Sequence, residues 1–213
     1  MPFVLLGAGG HAKVLLALLR AIGAEVVGVC DPGLQAASDW RGVRVLGDDA
    51  ALDSLPPDRV ALVNAIGQVV GSPRRMEVFE HFSARGYRFP ALVHPAAWVD
   101  ESVVVHEGAQ IMAGAVIQPD TVIGANSVIN TGARVDHDCI IASHVHIAPA
   151  AVLCGGVSIA AGTFVGAGAT VIQGISIGEH AVVGAGSTVI RNLPAGHVLV
   201  GSPVRKHLPG KQV

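Results

Sequence analysis

Two short segments of this 213-residue chain combine residue types that can do chemistry. The first is Asp136-His137-Asp138. An imidazole works as a general base when its pKa lies near the working pH, and an adjacent carboxylate both orients the ring and raises that pKa. A histidine between two aspartates is also a common solvated surface sequence. The second segment is Gly7-x-Gly9-x-x-Ala12, with Gly10, His11 and Lys13 in or beside it and Asp31-Pro32 further on. Glycines at this spacing let backbone N–H groups approach a pyrophosphate at a helix N-terminus, and an acid past the next strand receives a ribose hydroxyl. His11 and Lys13 suit an anionic diphosphate plus one directed contact. Asp31 suits a ribose hydroxyl or a guanine N–H edge, and Pro32 fixes only the loop. The same glycines would also serve a tight turn that merely packs helix on sheet.

Two kinds of chain must position these residues. Residues 1–92 hold 18 of the 30 charges and read as alternating strands and helices. Phe3–Leu6 is a strand, and Val14, Leu15, Leu18, Leu19 and Ile22 have helical spacing that Gly23 ends. Glu25–Val29 and Val60–Ile66 are further strands, Pro73–Arg85 is a second helix, and Tyr87–Val93 is a fourth strand. Strands alternating with helices imply a parallel sheet, here half of a dinucleotide fold. From Val93 onward every sixth residue is aliphatic through Val189, 17 hexads without a slip. The residue two before the next aliphatic one is Ala, Ser, Thr or Cys in 12 of the 17. Alternation across a strand puts both positions inside, which is the signature of a parallel β-helix of hexapeptides. His137 falls on an outward position. The residues just before each anchor, among them Trp98, Val104, Val116, Val122, Val128, Ile140, Val152, Phe164 and Val182, form a recurring outward apolar set of the kind that marks an interface.

Composition excludes several classes. The chain is 51% hydrophobic with a mean hydropathy of +0.54, 14% charged and 4% aromatic. That tempts toward a membrane protein, yet no run of about 18 apolar residues exists. His11, Lys13 and Arg20 interrupt the one long candidate, and no signal peptide is expected. A net charge of −2 without a basic stripe argues against nucleic acid. Cys30, Cys139 and Cys154 lack zinc spacing and cannot all pair internally, which points to a reducing cytoplasm.

The hexads of residues 93–194 resemble the left-handed β-helix of hexapeptide acyltransferases. With Gly7-Ala8-Gly9-Gly10-His11-Ala12-Lys13 and the half-Rossmann unit before them, the whole chain resembles the sialic-acid O-acetyltransferase-like family. The resemblance implies an N-terminal α/β half-Rossmann domain (1–92) for a nucleotide sugar, a left-handed parallel β-helix (93–194) and a closing segment (195–213). It implies a homotrimer that packs prism against prism and holds acetyl-CoA between neighbouring β-helices, with no metal. The implied activity is N-acetylation of a nucleotide-linked 4-amino-4,6-dideoxy sugar, GDP-perosamine before a UDP-linked sugar. His137 would be the general base with Asp138 as its acid partner. His146 would contact the acetyl group, the Gly155 N–H would hold the oxyanion, and Asn130 would touch the sugar. Ala167 and Ala185 would let the pantetheine arm run along the coils. Arg205 and Lys206 match a tail segment suited to CoA phosphates or to plain solvation.

Other readings are weaker on the same residues. An NAD oxidoreductase lacks its second mononucleotide half. A three-histidine zinc site as in γ-type carbonic anhydrases would need His137, His144 and His146 together, but their offsets of seven and two place them on different parts of one coil. Two alternatives remain, O-acetylation of a sialic-acid-like sugar and a non-catalytic nucleotide-sugar-binding trimer. His81, His144, His180, His197 and His207 read as surface or helix residues, and His94 and His106 as corner residues.

Overall fold

The computed structural model describes residues 1–201. Arg205 and Lys206, expected at the CoA phosphates, and His207 lie outside the described residues. In the N-terminal domain β1 (Phe3–Leu6) leads into α1 (Gly10–Ala21), β2 (Val26–Cys30), the hairpin β3 (Asp39–Trp40) and β4 (Val43–Gly47), then β5 (Ala61–Asn64) and α2 (Arg74–Ala84). The sheet order is β3-β4-β2-β1-β5, parallel except for the β3–β4 hairpin. That hairpin has no sequence signal of the usual kind. Its turn needs two left-handed residues, and Arg41 (φ 56°) stands where Asn or Asp is preferred before Gly42 (φ 81°).

The expected strand at Tyr87–Val93 is divided between two sheets. Arg88 makes a single parallel bridge to Ala61, whereas Leu92–Val93 is the first rung of the β-helix. Pro90, lacking an N–H, cannot carry one ladder through. Helix α1 buries Ala12, Leu15, Leu16, Leu18 and Leu19. These pack with β1, β2, β4 and with Leu92, Met112 and Val128 of the β-helix, so α1 lies between sheet and prism. Helix α2 covers the opposite sheet face with Phe79 and Phe82.

The hexads form three parallel sheets of seven, six and five two-residue strands. We call the seven-stranded one, which carries Gln110, Val128, His146 and Phe164 outward, the docking face; the chain then passes to the second face (Trp98, Val116, Arg134) and the third (Val104, Val122, Ile140). The anchors from Ile111 to Val189 fill the interior with the small residues between them. Three inward hydroxyls are satisfied by carbonyls, Thr121 donating to Asp136 O, Ser127 to Ala142 O and Thr163 to Gly178 O, whereas that of Ser187 has no partner among the described residues. From Gly108 to Gly186 every sixth residue is left-handed, including Asp120, Asn126, Asp138, His144, Ala150 and His180. After Val189 the spacing is lost, yet Val198–Leu199 still pairs with Val182–Val183, so the prism runs past residue 194.

The outward apolar set is not one surface. Val128 is 1% exposed because α1 and the sheet of its own chain cover it, while Trp98, Val104 and Ile140 remain 49%, 49% and 57% exposed.

Candidate active site

At the corner between the second and third faces the chain turns through Asp136, His137 and Asp138. The left-handed backbone at Asp138 (φ 57°) swings its carboxylate back, and Asp138 Oδ2 lies 2.7 Å from His137 Nδ1. A carboxylate only accepts, so Nδ1 carries the proton and Nε2 keeps its lone pair. Asp136 Oδ1 accepts the His137 N–H at 2.9 Å and fixes the turn. The hydrogen bond to Asp138 raises the imidazole pKa above its ordinary value against desolvation, with the charges of Asp136 and Asp138 adding to the rise.

One coil later, 18 residues on, Gly155 occupies the same corner. A Cβ there would sit 2.6 Å from both Cε1 and Nε2 of His137, so only glycine admits the ring. Among the described residues the Gly155 N–H has no acceptor. A base with a free lone pair and an unused backbone donor thus stand side by side. Side-chain exposures of 60% for His137 and 66% for Asp138 leave this corner open within one chain.

The remaining expected residues lie elsewhere. Asn130 turns the corner between the docking and second faces, its Oδ1 accepting the Thr131 N–H and its own N–H donating to Ile147 O beside His146. Ala167 and Ala185 stack along that same corner, both exposed, with Gly186 N–H donating to Ala167 O. His146 is on the docking face itself, 9% exposed, its ring stacked on Phe164 at 5.0 Å and 7°. Burial, then the neighbouring His11 and Arg75, push its pKa down to about 3. Its Nδ1 has no partner among the described residues. One chain therefore joins His137, Asp138 and Gly155, and separately Asn130, His146, Ala167 and Ala185.

The glycine loop lies between β1 and α1. Gly7 is left-handed (φ 103°), Gly9 caps α1, and a side chain at Gly9 or Gly10 would meet open space. A cavity of about 250 Å³ opens there, lined by Gly7, Ala8, Gly9, Asp31, Pro32, Asp49, Ala65, Ile66, Gly67 and Arg74. Asp31 holds the loop: Oδ2 accepts the Ala8 N–H and Oδ1 the Gly33 N–H, both at 2.8 Å. Lys13 is exposed one turn into α1.

His11 does not present its Nε2 to this cavity. Nε2 donates to Gln110 Oε1 at 2.8 Å, and burial, then the Arg75 charge, push the ring down to about 4 against that bond. Gln110 donates in turn to Asn64 O, which also accepts from Arg75 Nη1. Arg75 Nη1 reaches Ile66 O as well, and Asn64 Nδ2 donates to Asn126 Oδ1. Asn126 Nδ2 donates to His144 Nδ1, whose Nε2 faces Glu80 at 3.7 Å. His144, expected at the surface, is thus half-buried in a polar seam that fastens the α/β domain to the prism. Sequence reading missed Arg74, Arg75, Gln110 and Asn126; Gln110 and Asn126 gain their meaning from His11 and Asn64, far along the chain. Gln110 alone left a trace, a polar residue in a mostly apolar outward series. Three or more His, Cys, Asp or Glu side chains do not gather into a metal-holding group among the described residues.

Family comparisons agree with both halves. Residues 3–81 match the PglD N-terminal domain, residues 102–137 the bacterial transferase hexapeptide (six repeats) and residues 156–191 the hexapeptide repeat of succinyl-transferase. The chain is also similar to perosamine N-acetyltransferase from Caulobacter crescentus, solved as a histidine-to-asparagine mutant in complex with CoA and GDP-perosamine. That likeness has 40% identity over 95% of each chain and a TM-score of 0.87. This chain belongs to the PglD-type sugar acetyltransferases. The acetyltransferase domain of PglB from Neisseria gonorrhoeae, solved with acetyl coenzyme A, is 33% identical over 94% of this chain and 96% of that one, with a TM-score of 0.87. WeeI from Acinetobacter baumannii is 27% identical over 96% and 99%, with a TM-score of 0.85. No curated protein matches the chain. The prism of this acetyltransferase is the left-handed hexapeptide β-helix.

Proposed function

We propose that the enzyme transfers acetyl from acetyl-CoA to the 4-amino group of a nucleotide-linked 4-amino-4,6-dideoxy sugar, GDP-perosamine first and a UDP-linked sugar next. The observation that carries this is the His137–Asp138 pair set against Gly155. Relatives solved with CoA and GDP-perosamine, or with acetyl coenzyme A, support the two substrates. The amine nitrogen attacks the thioester carbon and His137 Nε2 takes its proton, while Asp138 holds Nδ1–H. Oxygen of the tetrahedral intermediate receives the Gly155 N–H, the kind of donor worth about 3–4 kcal/mol. As the C–S bond breaks, the imidazolium returns the proton to the CoA sulfur. No acyl-enzyme is involved, because the Cys139 thiol is buried inside the prism and burial raises its pKa.

The diphosphate sits at Gly9 and Gly10 on the N-terminus of α1, with Lys13 and Arg74 as cations and the Asp31 loop beside the ribose. His146, kept neutral by burial, faces the acetyl group, Asn130 the sugar, and Ala167 and Ala185 the pantetheine. Within one chain these lie at a different corner from His137. A homotrimer brings the corner of one prism to the docking corner of the next, burying Trp98, Val104 and Ile140. Three free cysteines fit a cytoplasmic enzyme. The test is CoA release from acetyl-CoA with a panel of GDP- and UDP-linked amino sugars. Release with a 4-amino sugar is expected, and silence across the panel removes this reading.

A further inference from the structure

Two carboxylates line the cavity beside the glycine loop, and their commitments differ. Both oxygens of Asp31 are taken up by backbone N–H groups of the loop itself. Asp49 is half-buried in the same cavity, and among the described residues its carboxylate makes no hydrogen bond or ion pair. It opens the 3-10 segment Asp49–Ser54 that follows β4. In the sheet β4 lies next to β2, on the side of β1 away from β5. With a diphosphate at the start of α1 and a ribose at the end of β2, a nucleoside runs toward that side. Asp49 therefore stands where the base edge arrives.

Resting on the nucleotide-sugar reading above, we infer that Asp49 selects the base: its two oxygens accept the N1–H and N2–H of guanine. Guanine presents two adjacent donors on one edge, which match an acceptor-only carboxylate. Uracil presents one N–H between two carbonyls, so the second carboxylate oxygen faces an acceptor. Adenine offers one donor beside an acceptor and fails likewise. A site built around such a pair discriminates strongly, because the wrong base leaves buried polar groups unmatched. Burial raises the Asp49 carboxyl above its ordinary value, opposed by the Arg74 charge, so the pair of donors on guanine would favour its ionised, acceptor-only form.

The test is calorimetric titration of the full chain with GDP, UDP and inosine diphosphate, for wild type and Asp49→Asn. The 3-10 segment is capped by Asp48, whose Oδ1 accepts the Ala50 N–H, so the substitution leaves the cap intact. Wild type should bind GDP more tightly than UDP, with inosine diphosphate weakened because it lacks the 2-amino group. Asp49→Asn should weaken GDP on the order of 10- to 100-fold and change UDP by less than about threefold. The inosine penalty should also shrink in the variant. A preserved GDP preference in Asp49→Asn, or equal losses for GDP and UDP with unchanged thermal stability, overturns the base assignment alone. If neither nucleotide binds wild type, the nucleotide-sugar reading fails and takes this inference with it.

Discussion

His137 and the pair His11 and His146 are the same residue type in opposite settings. His137 stands on an open corner, its Nδ1 bonded to a carboxylate, and its pKa is raised. His11 and His146 lie against the docking face with Arg75 nearby, and theirs fall to about 4 and about 3. The carboxylate favours the charged ring at the open corner, and burial favours the neutral ring at His11 and His146. Of the two buried rings, His11 is bonded into the seam between the domains and His146 is stacked on Phe164, whereas the His137 ring is held only by the carboxylate beside it.

The largest break in this contrast is His137→Asn. Turnover should fall about 10²- to 10⁴-fold at every pH, the usual worth of a positioned base. Since a neutral amine is already a fair nucleophile, activity that survives and climbs with pH would reduce His137 to a proton collector. CoA release across pH 6 to 9 separates the two outcomes.

The next effect concerns stability in acid. His11 and His146 have an ordinary value of 6.5, and in the folded protein bind protons only near about 4 and about 3. Below 6.5 the unfolded chain therefore takes up more protons, so stability is complete above that pH and declines as pH falls toward 4. Each ring contributes a slope of at most about 1.4 kcal/mol per pH unit. His137 has the opposite sign, adding stability that is lost as pH rises through its raised pKa, and its exposure keeps that contribution small. Urea denaturation from pH 7 to 4.5 should show the decline, shallower in His11→Gln. A flat wild-type curve would erase the distinction between the regions.

Arg75→Met is the finest probe. It orphans Ile66 O, which Arg75 Nη1 now satisfies, and should cost about 1–3 kcal/mol. Removing the cation should also raise the pKa of His11 and His146, readable by NMR titration. Unchanged values would mean burial alone sets them.

The prism was legible almost completely, because its rule is periodic and local: an aliphatic anchor every six residues fixes which side chains point in. His137, Asp138 and the glycine loop were legible for the same reason, as neighbours in sequence. The seam was not. Gln110 meets His11 and Asn64, and Asn126 meets Asn64, across separations that no spacing predicts. Nor does any pattern say that Val128 is covered by its own chain whereas Ile140 is left open. His11 lay inside a motif that suggested an anionic ligand, yet a tertiary neighbour took its Nε2.

The left-handed residue at every sixth position makes chain length itself a selective quantity. A gain or loss of 18 residues returns every later side chain to its own face. A change of six advances each of them by one face, moving Gly155 away from His137, and a change of one inverts inside and outside. Between the two members of this site the count of residues is therefore held as strictly as the anchors Ile141, Ile147 and Leu153.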